Sequence, residues 1–177
     1  MLRKLVIFLV VAIISTNVFA TDSLSIAITK VDLDEVIRSG TVTPVDGITA
    51  AGQPNEAALA IFAKEGYSTV IDLRTKSEDR GMDEEAIAVE LGMEYIALPI
   101  GRNDITFENA KTLGEIIEVI DGPILLHCGS SNRVGALLAL GKSLAGADND
   151  TALQYGQENG LTSLEGLVRK ILDAEND

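Results

Sequence analysis

The sequence has little of what usually stabilises small exported or metal-binding proteins. It contains one cysteine, Cys128, one histidine, His127, and no tryptophan, and only 4% of its residues are aromatic. One cysteine cannot form an intramolecular disulfide, and one histidine without a cysteine cluster does not supply the usual ligands of a zinc site. We therefore expect neither a structural disulfide nor a bound metal.

Positive charge is also scarce. Lysine and arginine together number 14 against 27 acidic residues, which gives a net charge of −13. Proteins that bind nucleic acid need a basic surface, so nucleic acid is excluded as a partner. The same surface repels anionic substrates at long range, so a phosphate site here has to rely on local positive potential.

The N-terminus has the pattern of a secretory signal peptide. Arg3 and Lys4 precede an apolar run over residues 5–14, and Val18-Phe19-Ala20 is a small-residue cleavage pattern. The run is shorter than the ~20 residues that span a bilayer, so we expect no stable membrane anchor. We predict cleavage after Ala20, a periplasmic or secreted protein, and a single domain over residues 21–177.

Short apolar runs alternate with capped helical patterns in the remaining chain. This order predicts an α/β fold with a central, mostly parallel sheet of about four strands and helices on both faces. The predicted strands cover residues 48–51, 67–73, 93–98 and 124–127. The predicted helices cover residues 54–66, 83–91, 106–121, 132–145, 151–158 and, opened by a capping box at Thr162 and Glu165, 162–173.

A polar loop joins the last predicted strand to a helix. The loop starts at Cys128, continues through Gly129, Ser130, Ser131 and Asn132, and ends at Arg133. Backbone amides at a helix N-terminus converge on an anion, and an arginine adds a bidentate fork. The same field favours the thiolate form of a cysteine. The loop therefore predicts a phosphate-binding site with Cys128 as nucleophile, although a buried inert cysteine would also suit a strand end.

His-Cys followed by a small polar loop and an arginine resembles the signature of the tyrosine and dual-specificity protein phosphatases. The wider chain, with Gly52-Gln53-Pro54, residues 70–74 and residues 95–99, resembles the phosphatase-like domain of β-lactamase-hydrolase-like proteins over about residues 45–145. The resemblance implies a phosphatase-like fold and hydrolysis of phosphomonoesters through a cysteinyl-phosphate. It also implies a phosphorylated small molecule or phosphoprotein as substrate, and no cofactor.

Two departures from the phosphatase pattern leave other functions open. Four residues separate Cys128 from Arg133, one fewer than in the standard phosphatase signature, and this spacing also occurs in rhodanese sulfurtransferases. Ser131 stands where relatives have glycine, and a serine is strained if that position needs a positive φ. One alternative is therefore sulfur transfer with Cys128 as persulfide carrier, although the Gly-His-Ile motif usual in rhodaneses is missing. The other is a domain that binds a phosphate or phosphoprotein without turnover.

Phosphoryl transfer also needs an acid that protonates the leaving group. Asp104 follows the strand that ends at Pro99 and precedes the Thr106 helix, a position that resembles the general acid of dual-specificity phosphatases. Asp104 could equally be an exposed aspartate of a polar turn without a catalytic role. Glu78 and Asp79 are weaker candidates for the acid.

Other polar residues flank the predicted site. Adjacent strand residues face opposite ways, so His127 is expected to form hydrogen bonds beneath the loop rather than to activate Cys128. Asp72 and Arg74 end a strand at the same edge of the sheet, where they could help to form the pocket, and a local salt bridge between Arg74 and Glu78 is an equally good expectation. Three basic residues nearby could contact an anion, although we favour a solvated-surface role for them: Lys76, Arg80 and Arg102.

Overall fold

The computed structural model describes residues 27–175, and the predicted signal peptide lies outside this range. Five strands form one parallel sheet in the order β1-β2-β5-β3-β4, with β5 at its centre. The strands are β1 (Ala27–Lys30), β2 (Gly47–Ala51), β3 (Thr69–Asp72), β4 (Glu94–Ala97) and β5 (Ile124–His127). The predicted α/β fold with a parallel central sheet is confirmed.

Seven helices connect or follow the strands in the described part of the chain. They are α1 (Leu33–Ser39), α2 (Glu56–Lys64), α3 (Glu84–Glu90), α4 (Phe107–Glu118), α5 (Asn132–Leu144), α6 (Asn149–Glu158) and α7 (Glu165–Glu175). Several begin at side-chain caps that the sequence indicates: Thr106, for example, accepts a hydrogen bond from the Asn109 amide at the start of α4. Within residues 27–175 no helix combines the length and apolar character needed to cross a membrane.

The alternation of side chains along the strands divides the core into two clusters. Leu125 and Val70 face α1, α2 and α3, whereas Leu126, Ile71 and Cys128 face α4 and α5. Both clusters contain fully buried aliphatic residues, which is why the central strand is wholly apolar. Helices therefore cover both faces of the sheet, as predicted.

Glycines allow α6 to approach α5 closely. A Cβ atom at Gly135 would lie 2.3 Å from the Leu161 amide nitrogen and 2.5 Å from the Gly156 carbonyl oxygen. A Cβ atom at Gly156 would lie 2.7 Å from the Gly135 carbonyl oxygen. The helices after residue 145 thus pack directly against the helix that carries the predicted anion site.

The structure differs from the sequence prediction in two places. Strand β1 and helix α1 were not predicted, although Asp32 caps α1 and Gly40 ends it with a φ of 70°. The capping box at Thr162 is wrong, because α7 begins at Glu165 and the Thr162 amide donates to Oδ1 of Asn132 instead. That amide is therefore satisfied by a distant side chain rather than by a local cap.

Candidate active site

Cys128 directly follows the central strand at the carboxyl edge of the sheet. Its neighbours are β2 and β3, and its side chain is 1% exposed among the residues of the α4–α5 face. Ligands of open parallel sheets bind at this edge. We call residues 128–133 the anion loop, and this position places it at the usual binding edge.

Gly129 and Ser130 of the anion loop are exposed and contact the segment after β2. Gly129 accepts a hydrogen bond from the Gln53 amide at 3.3 Å, and Ser130 forms an isolated antiparallel bridge with Gly52. A Cβ atom at Gly52 would lie 3.5 Å from the Gly129 carbonyl oxygen. Gly52 and Gln53, which belong to the residues that resemble the phosphatase-like family, therefore contact and support one side of the anion loop.

Ser131 is buried, Asn132 and Arg133 are partly buried, and the three residues lead into α5. Ser131 has φ 64° and ψ −8°, and it is the only non-glycine residue with a positive φ in the described part of the chain. Ser131 therefore has a left-handed backbone conformation, which is strained for any residue other than glycine. Its Oγ donates a hydrogen bond of 3.0 Å to the carbonyl of Asn159. Asn132 follows as the first residue of α5.

Arg133 is held in place by Glu78, which the sequence analysis paired with Arg74. Its Nη1 and Nη2 donate to the two carboxylate oxygens of Glu78 at 2.6 and 2.5 Å, and Nη1 also donates to the carbonyl of Ile100 at 3.0 Å. The hydrogen bonds from Arg133, helped by Thr75, lower the pKa of Glu78 to about 2. Pairing with Glu78 raises the pKa of Arg133, and its interaction with Cys128 raises it further.

This pair has two consequences for the site. Both carboxylate oxygens of Glu78 accept hydrogen bonds from Arg133, which makes Glu78 a poor candidate for the general acid. Arg133 also interacts with Cys128, which adds to the rise of the arginine pKa. A Cβ atom at Gly129 would lie 3.6 Å from Nη2 of Arg133 and 3.8 Å from Oε2 of Glu78, so both side chains border the anion loop.

A separate group of charged residues lies beneath the loop on the α1–α3 side of the sheet. Asp72, Arg74, Glu84 and His127 are each 0–1% exposed, and we call them the buried cluster. Arg74 bonds to Asp72, with Nε at 3.0 Å from Oδ1, and also to Glu84. Nε2 of His127 lies 2.8 Å from Oε1 of Glu84. His127 therefore has acidic partners below the loop and does not approach Cys128 as a base.

Asp72 is the most connected member of the buried cluster. Burial alone would raise its pKa, but hydrogen bonds from Arg74, the charge of His127 and the hydroxyl of Tyr95 together lower the pKa to about 2. Arg80 also bonds to Asp72 at 3.0 Å. The carboxylate is thus charged and fully paired, the condition under which a buried ion is stable.

Asp72, Glu84 and His127 could in principle hold a metal ion, since one ligand atom of each lies within 4.8 Å of the others. Arg74, however, bonds to both carboxylates and already supplies the compensating positive charge. These residues therefore do not fit a divalent cation. The expectation of a metal-free protein stays a prediction.

Asp104 lies in a 3-10 turn over residues 102–104 and is exposed. Its Oδ2 accepts a hydrogen bond of 2.9 Å from the Gly101 amide. Gly101 directly follows Ile100, whose carbonyl binds Arg133, so the turn that carries Asp104 borders the site. The carboxylate itself is turned back on its own turn, and a role as general acid requires it to rotate away from Gly101.

Three expectations about the flanking charges were tested by the contacts. The predicted salt bridge between Arg74 and Glu78 is wrong, because Arg74 points into the buried cluster. Arg80 is not simply solvated, since its side chain is 23% exposed and pairs with Asp72. Lys76 and Arg102 are exposed, as expected for surface residues.

Comparison with known families identifies the family of this chain. Residues 40–145 match the family "Beta-lactamase hydrolase-like protein, phosphatase-like domain". The chain belongs to that family. A β-lactamase hydrolase-like protein from Xylella fastidiosa is 32% identical over 103 residues, which are 56% of this chain and 24% of the relative. One from Agrobacterium fabrum is 26% identical over 118 residues, 64% of this chain and 27% of the relative. The chain thus matches about a quarter of the length of these relatives.

Solved structures with the same fold are phosphatases or candidate phosphatases. A candidate phosphatase from Neisseria meningitidis has a TM-score of 0.60 at 20% identity and covers 72% of this chain and 91% of its own. TpbA from P. aeruginosa in complex with pTyr has a TM-score of 0.57 at 18% identity, with coverage of 73% and 82%. The catalytic domain of a PP-IP phosphatase from S. cerevisiae also has 0.57, at 15% identity, with coverage of 77% and 90%. At these identities the likeness concerns the fold.

Proposed function

We propose that this protein is an exported phosphatase that hydrolyses phosphomonoesters through a cysteinyl-phosphate on Cys128. The observation that carries the proposal is the position of Cys128 at the carboxyl end of the central strand, followed by the N-terminus of α5 and by Arg133 fixed in place by Glu78. These are the groups that bind a phosphoryl group and stabilise a thiolate. Family membership supports the same reaction class.

The reaction proceeds in two displacements. The Cys128 thiolate attacks phosphorus, the bond to the ester oxygen breaks, and Asp104 gives its proton to the departing alkoxide. The amides of the anion loop and the Arg133 guanidinium bind the remaining phosphoryl oxygens. Water then attacks phosphorus, Asp104 takes a proton from it, and inorganic phosphate leaves with the thiolate restored.

A phosphorylated substrate is consistent with the neighbours, one of which is bound to pTyr and another of which is a PP-IP phosphatase. Neither a phosphoprotein nor a phosphorylated small molecule is favoured by the contacts around the anion loop. The surrounding acidity suits a substrate that is recognised through its phosphoryl group at short range. Neither nucleic acid nor a membrane is needed for this reaction.

Rhodanese-like sulfur transfer is the second candidate, and the four-residue spacing between Cys128 and Arg133 favours it. A third role, binding of a phosphorylated partner without turnover, is suggested by the positive φ of Ser131. Both assign the same anion loop but differ in what happens to the sulfur. A persulfide forms in sulfur transfer, and no covalent change occurs in simple binding.

The test is hydrolysis of p-nitrophenyl phosphate by reduced protein without added metal. We expect turnover in the wild type and a loss of about 10³-fold or more in Cys128→Ser, which removes the nucleophile but keeps the loop. Asp104→Asn should lower the rate and remove the basic limb of the pH profile, because the amide cannot donate a proton. Turnover that persists in Cys128→Ser contradicts the nucleophile assignment, and cyanide-dependent sulfur transfer from thiosulfate without phosphatase activity favours the second candidate.

A further inference from the structure

The part of the chain beyond the family match touches the anion loop directly. The match ends at residue 145, whereas the connection between α6 and α7, residues 159–164, contacts both Ser131 and Asn132. Ser131 donates to the Asn159 carbonyl, and Oδ1 of Asn132 accepts from the Thr162 amide at 2.8 Å. Two consecutive loop residues are therefore tied to one segment outside the matched region.

Ser131 fits tightly against this segment. It is 1% exposed, and a Cβ atom at Gly160 would lie 2.6 Å from both Cβ and Oγ of Ser131. Gly160 itself has a φ of 106°, so the backbone bends to bring the Asn159 carbonyl to the serine hydroxyl. The hydroxyl is thus buried with one specific acceptor, and that hydrogen bond opposes the strain of a left-handed serine.

The conformation of Ser131 determines where the rest of the loop points. Its carbonyl accepts the first hydrogen bond of α5, from the Gly135 amide at 2.9 Å, so the turn at Ser131 sets the direction of the helix N-terminus. Arg133 leaves the helix two residues later. A change at this turn therefore moves both the amides and the guanidinium that bind the anion.

We propose that Ser131 is a positioning residue: its hydrogen bond to Asn159 and its packing on Gly160 hold the left-handed turn that directs the amides and Arg133 at the anion. This inference rests on the proposed function for its ligand. It makes the α6–α7 connection part of the site, and it explains how serine is accommodated at a position whose φ favours glycine.

The test compares Ser131→Ala, which loses the hydroxyl but keeps the strain, with Ser131→Gly, which loses both. Ser143→Ala, near the end of the same helix, is the control. Tungstate, a phosphate-like oxyanion, is the probe, and its affinity for reduced protein is measured by calorimetry beside the free energy of unfolding. We expect Ser131→Ala to weaken tungstate binding about tenfold, and Ser131→Gly to stay within about threefold of the wild type. A merely structural role would lower unfolding stability in Ser131→Ala without changing the affinity of the folded fraction.

Folded Ser131→Ala that binds tungstate as tightly as the wild type overturns the proposal, and so does Ser131→Gly binding more weakly than Ser131→Ala. Amide hydrogen exchange supplies a second measurement if the alanine variant does not fold. Ser131→Gly should then speed exchange at residues 129–133 and at Thr162 by about fivefold, because the hydrogen bond from Ser131 to the Asn159 carbonyl is lost. Unchanged exchange overturns the proposal. A wild type that binds no tungstate and hydrolyses nothing contradicts the proposed function, while the exchange comparison still decides the role of Ser131.

Discussion

Two arginine–glutamate pairs lie at the carboxyl ends of neighbouring strands, and they differ in what surrounds them. In the buried cluster Arg74 and Glu84 are about 1% exposed, and Asp72 and His127 complete the set of partners. In the pair formed by Arg133 and Glu78 the side chains are 15% and 34% exposed. The buried cluster is closed to solvent and pairs its charges mainly with one another, although Nη1 of Arg74 and Nδ1 of His127 have no hydrogen-bond partner. The second pair is partly exposed and borders the anion loop.

The same two residue types therefore stabilise the fold in the buried cluster and border the candidate active site in the second pair. Removing one partner of a buried pair leaves an uncompensated charge, which is costly. Removing one partner of a half-exposed pair costs little stability, because water replaces the lost contact. Mutations in the two pairs should therefore separate stability from activity.

The largest effect is expected for Glu84→Gln. The change removes the carboxylate that pairs with both Arg74 and His127 and leaves Asp72 as their remaining acidic partner in the buried cluster, so the free energy of unfolding should fall by about 3–5 kcal/mol in urea denaturation. The adjacent exposed Glu85→Gln is the matched control and should unfold like the wild type. A Glu84→Gln protein of normal stability that has lost activity would move the buried cluster from the fold to the mechanism.

Arg133→Lys should have the largest effect on activity. Lysine keeps the positive charge but cannot bind Glu78 and a phosphoryl group with a planar fork, so kcat/KM should fall about 100-fold. The loss of unfolding free energy should be smaller than in Glu84→Gln, and Arg102→Lys provides an exposed control. Wild-type kinetics in Arg133→Lys would mean that the fork does not bind the substrate.

Glu78→Gln should have the smallest effect of the three. The amide still reaches Arg133 but without charge, so the guanidinium is held less firmly and kcat/KM should fall about tenfold, with the exposed Glu85→Gln as control. Tungstate affinity should weaken in parallel. Tighter tungstate binding would show instead that Glu78 competes with the anion for Arg133.

The central part of this account could be predicted from the sequence because its signals are local. The wholly apolar strand before Cys128, the polar loop and the small-residue helix after it are contiguous, and β5 has the predicted bounds. Local hydrogen bonding and side-chain period suffice for such features. The sequence left open whether Ser131 has a positive φ, and the structure gives it a φ of 64°.

The partners of the charged residues could not be predicted in the same way. Residue spacing favoured Arg74 with Glu78, four positions apart, but strand alternation directs Arg74 toward α3, and its partner Glu84 is ten positions away. Glu78 is 55 positions from Arg133. Only the packing of α3 and α5 on opposite faces of the sheet decides these pairs. The edge strand β1 was missed because it is short and half-exposed.

The most direct test of the central claim is to trap the covalent intermediate. Reduced Asp104→Asn, in which hydrolysis of the intermediate should be slow, is mixed with p-nitrophenyl phosphate, quenched in acid and examined by peptide mass spectrometry. The account predicts one added phosphoryl group on the peptide that contains Cys128, absent in Cys128→Ser. Hydrolysis that proceeds while this peptide carries no phosphoryl group at any time, or carries an added sulfur instead, would contradict it.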